Sequence, residues 1–316
     1  MLSLLSSLAR AVDVAAPFDF SPRDPARAAP TGALGVRGAL AIMANAGGQA
    51  VPREISGLAY SADDDVLYAV TDAGWLLHLV PRVADGRLVG LTLTRQVRLT
   101  DPRGRPLHRG VADVECLPGL AADDGQPGST RLVVFFEGRP RIAEHAGDGR
   151  QLREYVLSPP LDDPTRLDGP NHGLEALALH PTHGYVVALE RPLRGSGAAG
   201  ITLYAQDGRR WQYPAADPLT QSVTGLDTLT DGSLLAVERT YAGPFRPVVC
   251  TISRLILGDT LVTEVLGRYS SAHGWPVDNF EAIAHHRDRH FFVASDDNEN
   301  PLQQALLLYL ELPGGD

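Results

Sequence analysis

The chain has 316 residues and is rich in turn-forming residues, with 32 glycines and 24 prolines, as turn-rich all-β proteins are. Its formal net charge of −10 argues against nucleic acid as a partner, because phosphate binding requires a basic stripe and the sequence contains none. No stretch has the length and apolar character of a transmembrane segment.

The N-terminal segment is predicted to lie outside the folded domain. Residues 1–9 begin like the apolar region of a signal peptide, but Arg10 and Asp13 interrupt it and no basic segment precedes it. A degraded signal segment and a disordered tail both fit this pattern. We therefore place a tail at residues 1–33 and a single domain at residues 34–316, and we expect a monomer.

A motif of two apolar strands, with a polar residue where the first begins and an acid where the second ends, occurs five times. The copies span residues 55–72, 114–137, 174–190, 226–238 and 280–296. Their first polar residues lie 52 to 60 positions apart, which is the length of a four-stranded sheet with its turns. These residues are Ser56, Glu115, Glu175, Asp227 and Glu281.

Turn signals indicate that the strands of each repeat are antiparallel. Asp-Gly pairs supply the positive φ angles of tight hairpins, and they occur at residues 85–86, 148–149, 207–208 and 231–232. After Glu281 the chain has room for three strands, so the last repeat is one strand short, and Gly35 to Met43 is expected to supply the fourth. The sequence therefore predicts an all-β fold, a five-bladed β-propeller closed by an N-terminal strand, with six blades as the alternative.

The acids of the repeat are expected to gather at one mouth of the central channel. Consecutive antiparallel strands begin and end on the same face, so both acids of each repeat lie there. The predicted inner ring contains Glu115, Glu175, Asp227 and Glu281, with Glu54 in the place that Ser56 leaves open. The predicted outer ring contains Asp72, Glu137, Glu190, Glu238 and Asp296.

Such a ring requires compensation of its charge. Two carboxylates about 6 Å apart repel by roughly 3 kcal/mol at an effective dielectric constant near 20. Arginines follow three of the outer acids and can pair with another blade; they are Arg139, Arg191 and Arg239. The inner ring has no such neighbour. Its carboxylate oxygens suit Ca²⁺ or Mg²⁺ better than zinc, and we expect Ca²⁺ rather than Mg²⁺. The predicted metal ligands are Glu54, Glu115, Glu175, Asp227 and Glu281. Acids at strand ends also lock blades together, and for the outer ring we favour that role.

Several segments resemble the phytase-like domain described as "esterase-like activity of phytase". They are residues 54–59, 171–178, 279–284 and 294–298, and the last of them, Ala-Ser-Asp-Asp-Asn, is the most specific. The resemblance covers about residues 34 to 312. The family's usual glycine after the acid is replaced here by Cys116, Ala176, Thr228 and Ala282.

The resemblance implies a bacterial β-propeller that is secreted or periplasmic, or cytoplasmic if the N-terminus is not a signal peptide. It implies a phosphoester or ester hydrolase acting on a small molecule. The mechanism consistent with the residues is metal-assisted attack of water with a carboxylate as base. The candidate catalytic residues are Glu175, Glu281 and Asp296, with Asp72 in support. The candidate substrate contacts are Asn171, His172, Arg191 and Asn279. The Gly-x-Ser-x-Gly pattern of a serine hydrolase is absent.

Two alternatives remain open from the sequence. A lactonase of the gluconolactonase type would hold a central Ca²⁺ with Glu, Asn and Asp, and Asn171, Asp227 and Asn279 fit that ligand set. A non-catalytic propeller would offer its acidic face to a protein or sugar, and a cation would only stiffen it.

Overall fold

Five antiparallel sheets follow one another along the chain, where the repeat predicted them. The computed structural model describes residues 11–25, 32–108, 125–136, 140–167, 173–196, 200–243 and 245–314, and only the backbone of residues 114–116 and 120–122. Within these residues the only helices are single 3₁₀ turns at Pro164–Arg166 and Ser271–His273. None of the described helices is long and apolar enough to cross a membrane. The prediction of an all-β fold is confirmed.

The segment before the first repeat contributes five short strands. They are β1 (Val12–Asp13), β2 (Ala15–Pro17), β3 (Gly35–Ile42), β4 (Asn45–Ala46) and β5 (Gln49–Ala50). Strands β4 and β5 pair only with each other, as a hairpin. The other three extend two of the blades.

The first three blades run in chain order from their innermost strand outward. Blade 1 contains β6 (Ile55–Ser61), β7 (Val66–Thr71), β8 (Trp75–Ala84) and β9 (Arg87–Arg98). Blade 2 contains β10 (Val114–Cys116), β11 (Leu120–Ala122), β12 (Arg131–Phe136), β13 (Arg141–Ala146) and β14 (Gln151–Tyr155). Blade 3 contains β15 (Leu174–His180), β16 (Gly184–Leu189), β17 (Ile201–Ala205) and β18 (Arg210–Tyr213).

The last two blades complete the ring. Blade 4 contains β19 (Gln221–Thr228), β20 (Leu234–Thr240), β21 (Val249–Leu257) and β22 (Leu261–Ser270). Blade 5 contains β23 (Asn279–Arg287), β24 (His290–Asp296) and β25 (Leu306–Glu311). Each innermost strand contacts the innermost strand of the next blade, and β23 contacts β6, so five blades close the circle.

The N-terminal strand closes blade 5 as predicted. Strand β3 pairs antiparallel with β25, with Ala39 opposite Leu308, and it becomes the fourth strand of that sheet. The first and last parts of the chain are thereby held in one blade by backbone hydrogen bonds.

Residues 11–25 add contacts that the sequence did not predict, since no strand was expected before Gly35. Strand β1 pairs with β9 of blade 1, and β2 pairs with β3 of blade 5. Between them the Val14 N–H donates to the Leu91 carbonyl at 3.0 Å, and its carbonyl accepts from the Met43 N–H at 2.8 Å. The ring of Phe20 then packs against Tyr269 of blade 4, Phe280 of blade 5 and Trp275, which lies between these blades in the chain. This segment therefore bridges blades 1 and 5.

The core is divided among the blade interfaces. Alternating residues of each sheet face one neighbouring blade or the other, because successive side chains on a strand point to opposite faces. The buried apolar side chains form five clusters, one in each of the five interfaces between adjacent blades. Polar residues at the strand ends are thereby left for the channel and its rims.

Candidate active site

Each innermost strand carries a β-bulge at the same place near its start. The pairing with the second strand shifts by one residue there in all five blades. A bulge places one extra residue in the strand and redirects its side chain. The bulged residues are Ser56, Glu115, Glu175, Thr224 and Glu281. Four of the five predicted first polar residues therefore lie at equivalent positions.

The fourth repeat corrects the prediction for Asp227. The bulged residue of blade 4 is Thr224, so the segment Val223-Thr224-Gly225 corresponds to Ile55-Ser56-Gly57. Asp227 lies three residues further along β19, opposite Leu235. The physical reason is that the bulge, and not the nearest acid, sets the alignment of the repeats.

The environment of Asp227 also differs from that of a ring residue. Its Oδ2 accepts from the backbone N–H of His285 in blade 5 at 2.6 Å, and its Oδ1 accepts from the N–H of Thr228. Burial raises the pKa of Asp227 to about 7, against the effect of these two donors. Asp227 is thus a fastener between blades 4 and 5 rather than a member of the predicted metal site.

The same shift places an arginine in the outer ring. The residues at the equivalent position near the end of each second strand are Asp72 opposite Glu54, Glu190 opposite Gly173, Arg239 opposite Ser222 and Asp296 opposite Asn279. Glu238, predicted for this ring, precedes Arg239 by one residue and accepts from the Gln221 side chain at 3.1 Å. In blade 4 the outer position is therefore cationic. Glu137, the predicted member from blade 2, lies outside the described residues.

Arg239 is the centre of an ion-pair group that joins three blades. Its Nη1 donates to Glu281 Oε1 of blade 5 at 2.6 Å, and its Nη2 lies 3.7 Å from Glu175 Oε1 of blade 3. It also donates to the side-chain carbonyl of Asn279. The pKa of Arg239 is raised because these acids and Glu190 outweigh the effect of burial. The prediction that an arginine after an outer acid pairs with another blade is confirmed for Arg239.

A second group of acids, Glu54, Asp72 and Asp296, acts on Glu281 or on one another. We call this group and the Arg239 group together the mouth. Burial first, and then the charge of Glu281, raises the pKa of Asp296 to about 8. Burial also raises the pKa of Glu281, although Arg239 and the Asn279 amide, at 2.6 Å, favour its ionised form. Asp72 acts on both acids and Glu54 acts on Asp296 in the same direction. The mouth therefore contains mutually repelling carboxylates, and the pair Glu281 and Asp296 retains a proton near neutral pH.

Ser56 and Glu54 share the place of the first acid in blade 1. The Ser56 hydroxyl contacts Asp72 and lies 3.2 Å from the backbone carbonyl of Glu54. Glu54 has a φ of 56°, in the left-handed region that a glutamate adopts only when its surroundings enforce it. Its side chain is nearly buried and acts on Asp296 across the mouth, as expected for a residue that fills the open place.

The described residues do not fit the predicted cation site. Among them no group of three or more His, Cys, Asp or Glu residues could hold a metal ion. Glu175 and Glu281 both face the guanidinium of Arg239, and Asp227 is directed to a blade interface. The side chain of Glu115 is outside the described residues, so its part in a metal site stays a prediction.

The remaining predicted contacts are distributed unequally. Asn279 lies in the mouth, where its side chain joins Arg239 to Glu281. Arg191 is directed elsewhere, because its guanidinium donates to the Pro218 carbonyl at 3.0 Å and lies 3.6 Å from its neighbour Glu190. Asn171 and His172 lie outside the described residues.

A cavity of about 480 Å³ adjoins the mouth between blades 4 and 5. Its lining residues are Arg239, Tyr241, Val248, Val277, Asp278, Asn279, Asn298, Asn300, Leu302 and Gln303. Of these residues, the sequence patterns marked Arg239, Asn279 and Asn298. For Asn300 to Gln303 the signal was the continuation of the Asp-Asp-Asn segment; nothing in the sequence marks Tyr241 or Val248.

The comparisons with known proteins agree with the resemblance. The family model for the phytase-like domain, described as "esterase-like activity of phytase", matches residues 53–299, which is most of the chain. A search of curated proteins found no significant match. Similar solved structures include a luciferin-regenerating enzyme, with 11% identity, a TM-score of 0.44, and coverage of 83% of this chain and 94% of that chain.

Two further solved structures are similar in the same way. The β-propeller domain of Cps50 (Swd1) from Myceliophteria thermophila has 11% identity, a TM-score of 0.42, and coverage of 95% of this chain and 99% of that chain. The structure of U3-55K has 14% identity, a TM-score of 0.39, and coverage of 90% of this chain and 87% of that chain.

Proposed function

The chain belongs to the phytase-like family, and on this premise we propose that the protein hydrolyses ester bonds at the mouth. The observation that carries the proposal is the pair Glu281 and Asp296, two acids of which the first raises the pKa of the second, next to the cavity that Asn279 lines. Glu281 faces the guanidinium of Arg239, whereas Asp296 faces the negative charges of Asp72 and Glu54. Hydrolytic sites use such pairs, because one acid must give a proton while the other takes one.

The two acids are suited to different roles. Glu281 is paired with Arg239, which favours its ionised form, so the proton that the pair retains belongs on Asp296. Both of the Arg239 and Asn279 contacts fall on Oε1 of Glu281. Since both contacts occupy Oε1, the other carboxylate oxygen, Oε2, is the one through which Glu281 accepts a proton from water.

The reaction then balances as follows. Glu281 takes a proton from a water molecule while the water oxygen bonds to the electrophilic carbon or phosphorus of the ester. The bond from that atom to the leaving oxygen breaks, and Asp296 donates its proton to the leaving alkoxide. Arg239, which also pairs with Glu175, holds Glu281 in place. Deprotonation of Glu281 and reprotonation of Asp296 by solvent complete the cycle.

The test is a hydrolase assay with chromogenic aryl carboxylic and phosphoric esters. We expect Glu281→Gln and Asp296→Asn each to lower kcat by roughly 10²- to 10⁴-fold, the usual contribution of a general acid or base. Glu154→Gln, on an exposed outer strand, is the matched control and should leave the rate unchanged. Full activity in both mouth variants would refute the proposal.

Metal dependence is tested in the same assay. The predicted cation is Ca²⁺ rather than Mg²⁺. It would need ligands outside the described residues, such as the side chain of Glu115. Loss of activity in a chelator and its recovery with Ca²⁺ would support the metal-assisted form of the reaction. Absence of turnover with esters, phosphoesters and lactones would instead favour a non-catalytic propeller.

A further inference from the structure

The charges of the mouth bear on which ester can enter it. The cation that lines the cavity, Arg239, already faces two carboxylates, Glu281 and Glu175. Two further described arginines near the mouth are also paired, Arg53 with Asp297 at 2.8 Å and Arg191, which is directed away from the mouth, with Glu190. No described cation of the mouth is therefore left without an acidic partner.

The remaining acids make the region negative. Among the described residues of this region, acids outnumber these three arginines. Glu54 and Asp72 both act on Asp296, and Asp297 acts on Asp278 beside the cavity. One proton on Asp296 does not reverse this excess. A phosphoester carries negative charge at neutral pH and would be repelled, whereas an uncharged ester meets no such penalty.

The cavity walls add a second and independent observation. The lining combines apolar side chains with side-chain amides. The apolar ones belong to Tyr241, Val248, Val277 and Leu302, and the amides to Asn279, Asn298, Asn300 and Gln303. The side chain of Leu302 is 90% exposed and that of Tyr241 is 48% exposed. Small-molecule sites are usually lined by apolar side chains together with a few polar groups, because the apolar side chains supply affinity and the polar groups fix the orientation of the ligand.

The segment that presents Leu302 is ordered by its own hydrogen bonds. The Asp278 carboxylate accepts from the backbone N–H of Gln304 at 2.8 Å, and the Asn300 side chain accepts from the N–H of Leu302 at 3.0 Å. Asn298 and Glu299 both adopt left-handed backbone conformations, with φ of 48° and 49°. Strained backbone of this kind persists only where the surroundings enforce it, and it is concentrated at ligand sites.

We propose that the cavity binds the apolar part of an uncharged carboxylic ester, open-chain or lactone, with its alkyl or aryl group against Tyr241 and Leu302. This inference rests on the proposed function and narrows its substrate class. The ester carbonyl then lies toward Arg239 and Asn279, next to the acid pair, and the apolar group extends along the cavity between blades 4 and 5.

The test is a series of 4-nitrophenyl esters with acyl chains from acetate to octanoate, compared with 4-nitrophenyl phosphate. We expect kcat/KM to rise with chain length and to be at least a hundredfold lower for the phosphate. Leu302→Ser should raise KM for the longest ester about tenfold with little change in kcat, and so flatten the series. Val156→Ser is the matched control, since Val156 is 87% exposed but does not line this cavity.

A binding measurement separates this inference from the proposed function. The hydrolysis-resistant anilide of hexanoic acid should raise the melting temperature of the wild type and of Glu281→Gln, and should not raise that of Leu302→Ser. If this shift is seen but no ester is hydrolysed, the cavity assignment holds and the hydrolase proposal fails. Preference for the phosphate, or an unchanged chain-length dependence and anilide shift in Leu302→Ser, would overturn the inference.

Discussion

Replacement of Arg239 by glutamine is the most direct test of how the mouth is held together. The arginine Nη1 lies 2.6 Å from Glu281, Nη2 lies 3.7 Å from Glu175, and all three side chains are at most one-fifth exposed. At an effective dielectric constant near 20, a pair of charges 4 Å apart attracts by about 4 kcal/mol. The cost of burying the ions offsets part of this attraction, so breaking such a group costs a net 3 to 5 kcal/mol, roughly.

We therefore expect Arg239→Gln to lower the free energy of unfolding at pH 7 by about 3 to 5 kcal/mol, measured by denaturant titration. Arg254→Gln is the matched control, because Arg254 is paired with Asp231 on an exposed face of the same blade. Exposed pairs contribute about 1 kcal/mol or less. A loss below about 1 kcal/mol in Arg239→Gln would refute the reasoning, since it would mean that the three blades do not depend on this group.

The pH dependence gives the same prediction a second readout. Burial already raises the pKa of Glu281, and without the guanidinium that now opposes this effect the pKa rises further above its unfolded value. An acid with a raised pKa binds more protons when folded, so stability is regained as the pH falls. The deficit of Arg239→Gln should accordingly shrink between pH 8 and pH 5, and an unchanged deficit would contradict the argument. If Arg239 stands where a cation was predicted, Ca²⁺ should raise the melting temperature of the variant more than that of the wild type.

Three further predictions concern the frame of the site and its stability. A methyl group on Gly225 would lie 2.6 Å from the carbonyl oxygen of Glu281, so Gly225→Ala should cost about 1 to 3 kcal/mol in denaturant titrations. In Gly200→Ala the added methyl group would lie 3.8 Å from the Tyr213 carbonyl oxygen, an ordinary contact distance, so this control should cost less than about 0.5 kcal/mol. Equal costs in the two variants would contradict the close approach of the blades. Phe20→Ala should lower the free energy of unfolding by about 3 to 5 kcal/mol, because the ring is buried against three other aromatic rings. A loss below about 1 kcal/mol would mean that residues 11–25 do not contribute to the stability of the propeller. Burial lowers the pKa of His145 to about 4, so stability should fall by about 3 kcal/mol between pH 6.5 and pH 4, and His145→Leu should remove that part of the slope in melts across this range.

The propeller could be predicted because its signals are local. Asp-Gly hairpins, alternating strands and an even spacing of repeats specify antiparallel four-stranded units, and the missing last strand directs attention to Gly35 to Met43. Strands β1 and β2 have two and three residues and no alternating pattern of their own. They exist because sheet edges of blades 1 and 5 pair with them, which is a tertiary effect that no short window of sequence contains.

The site was predicted less completely for a different reason. A prediction from strand periodicity assumes that each residue of a strand faces one residue of its partner. Each innermost strand contains a bulge, where two residues face one, so the positions after the bulge are shifted. An alignment based on the nearest acid selected Asp227, whereas the pattern Val-Thr-Gly would have selected Thr224. Thr224 has no charge, so nothing about its chemistry drew attention, although its hydroxyl donates to the Phe280 carbonyl at 2.9 Å and fixes blade 5.

The position of Arg239 follows from that same offset and changes what the mouth can do. A propeller with an acid at every equivalent position would need a cation from solvent to balance its charge. Here one blade contributes a threonine to the inner ring and an arginine to the outer one, so the compensating charge is covalently part of blade 4 and reaches the acids of blades 3 and 5. The ring is therefore asymmetric: the ion pairs of Arg239 lie on the blade 4 side, where the cavity opens, and Asp72 and Asp296 repel each other on the blade 1 side. Chemistry that needs an ionised and a protonated carboxylate together has its place where these two sides meet, at Glu281 and Asp296.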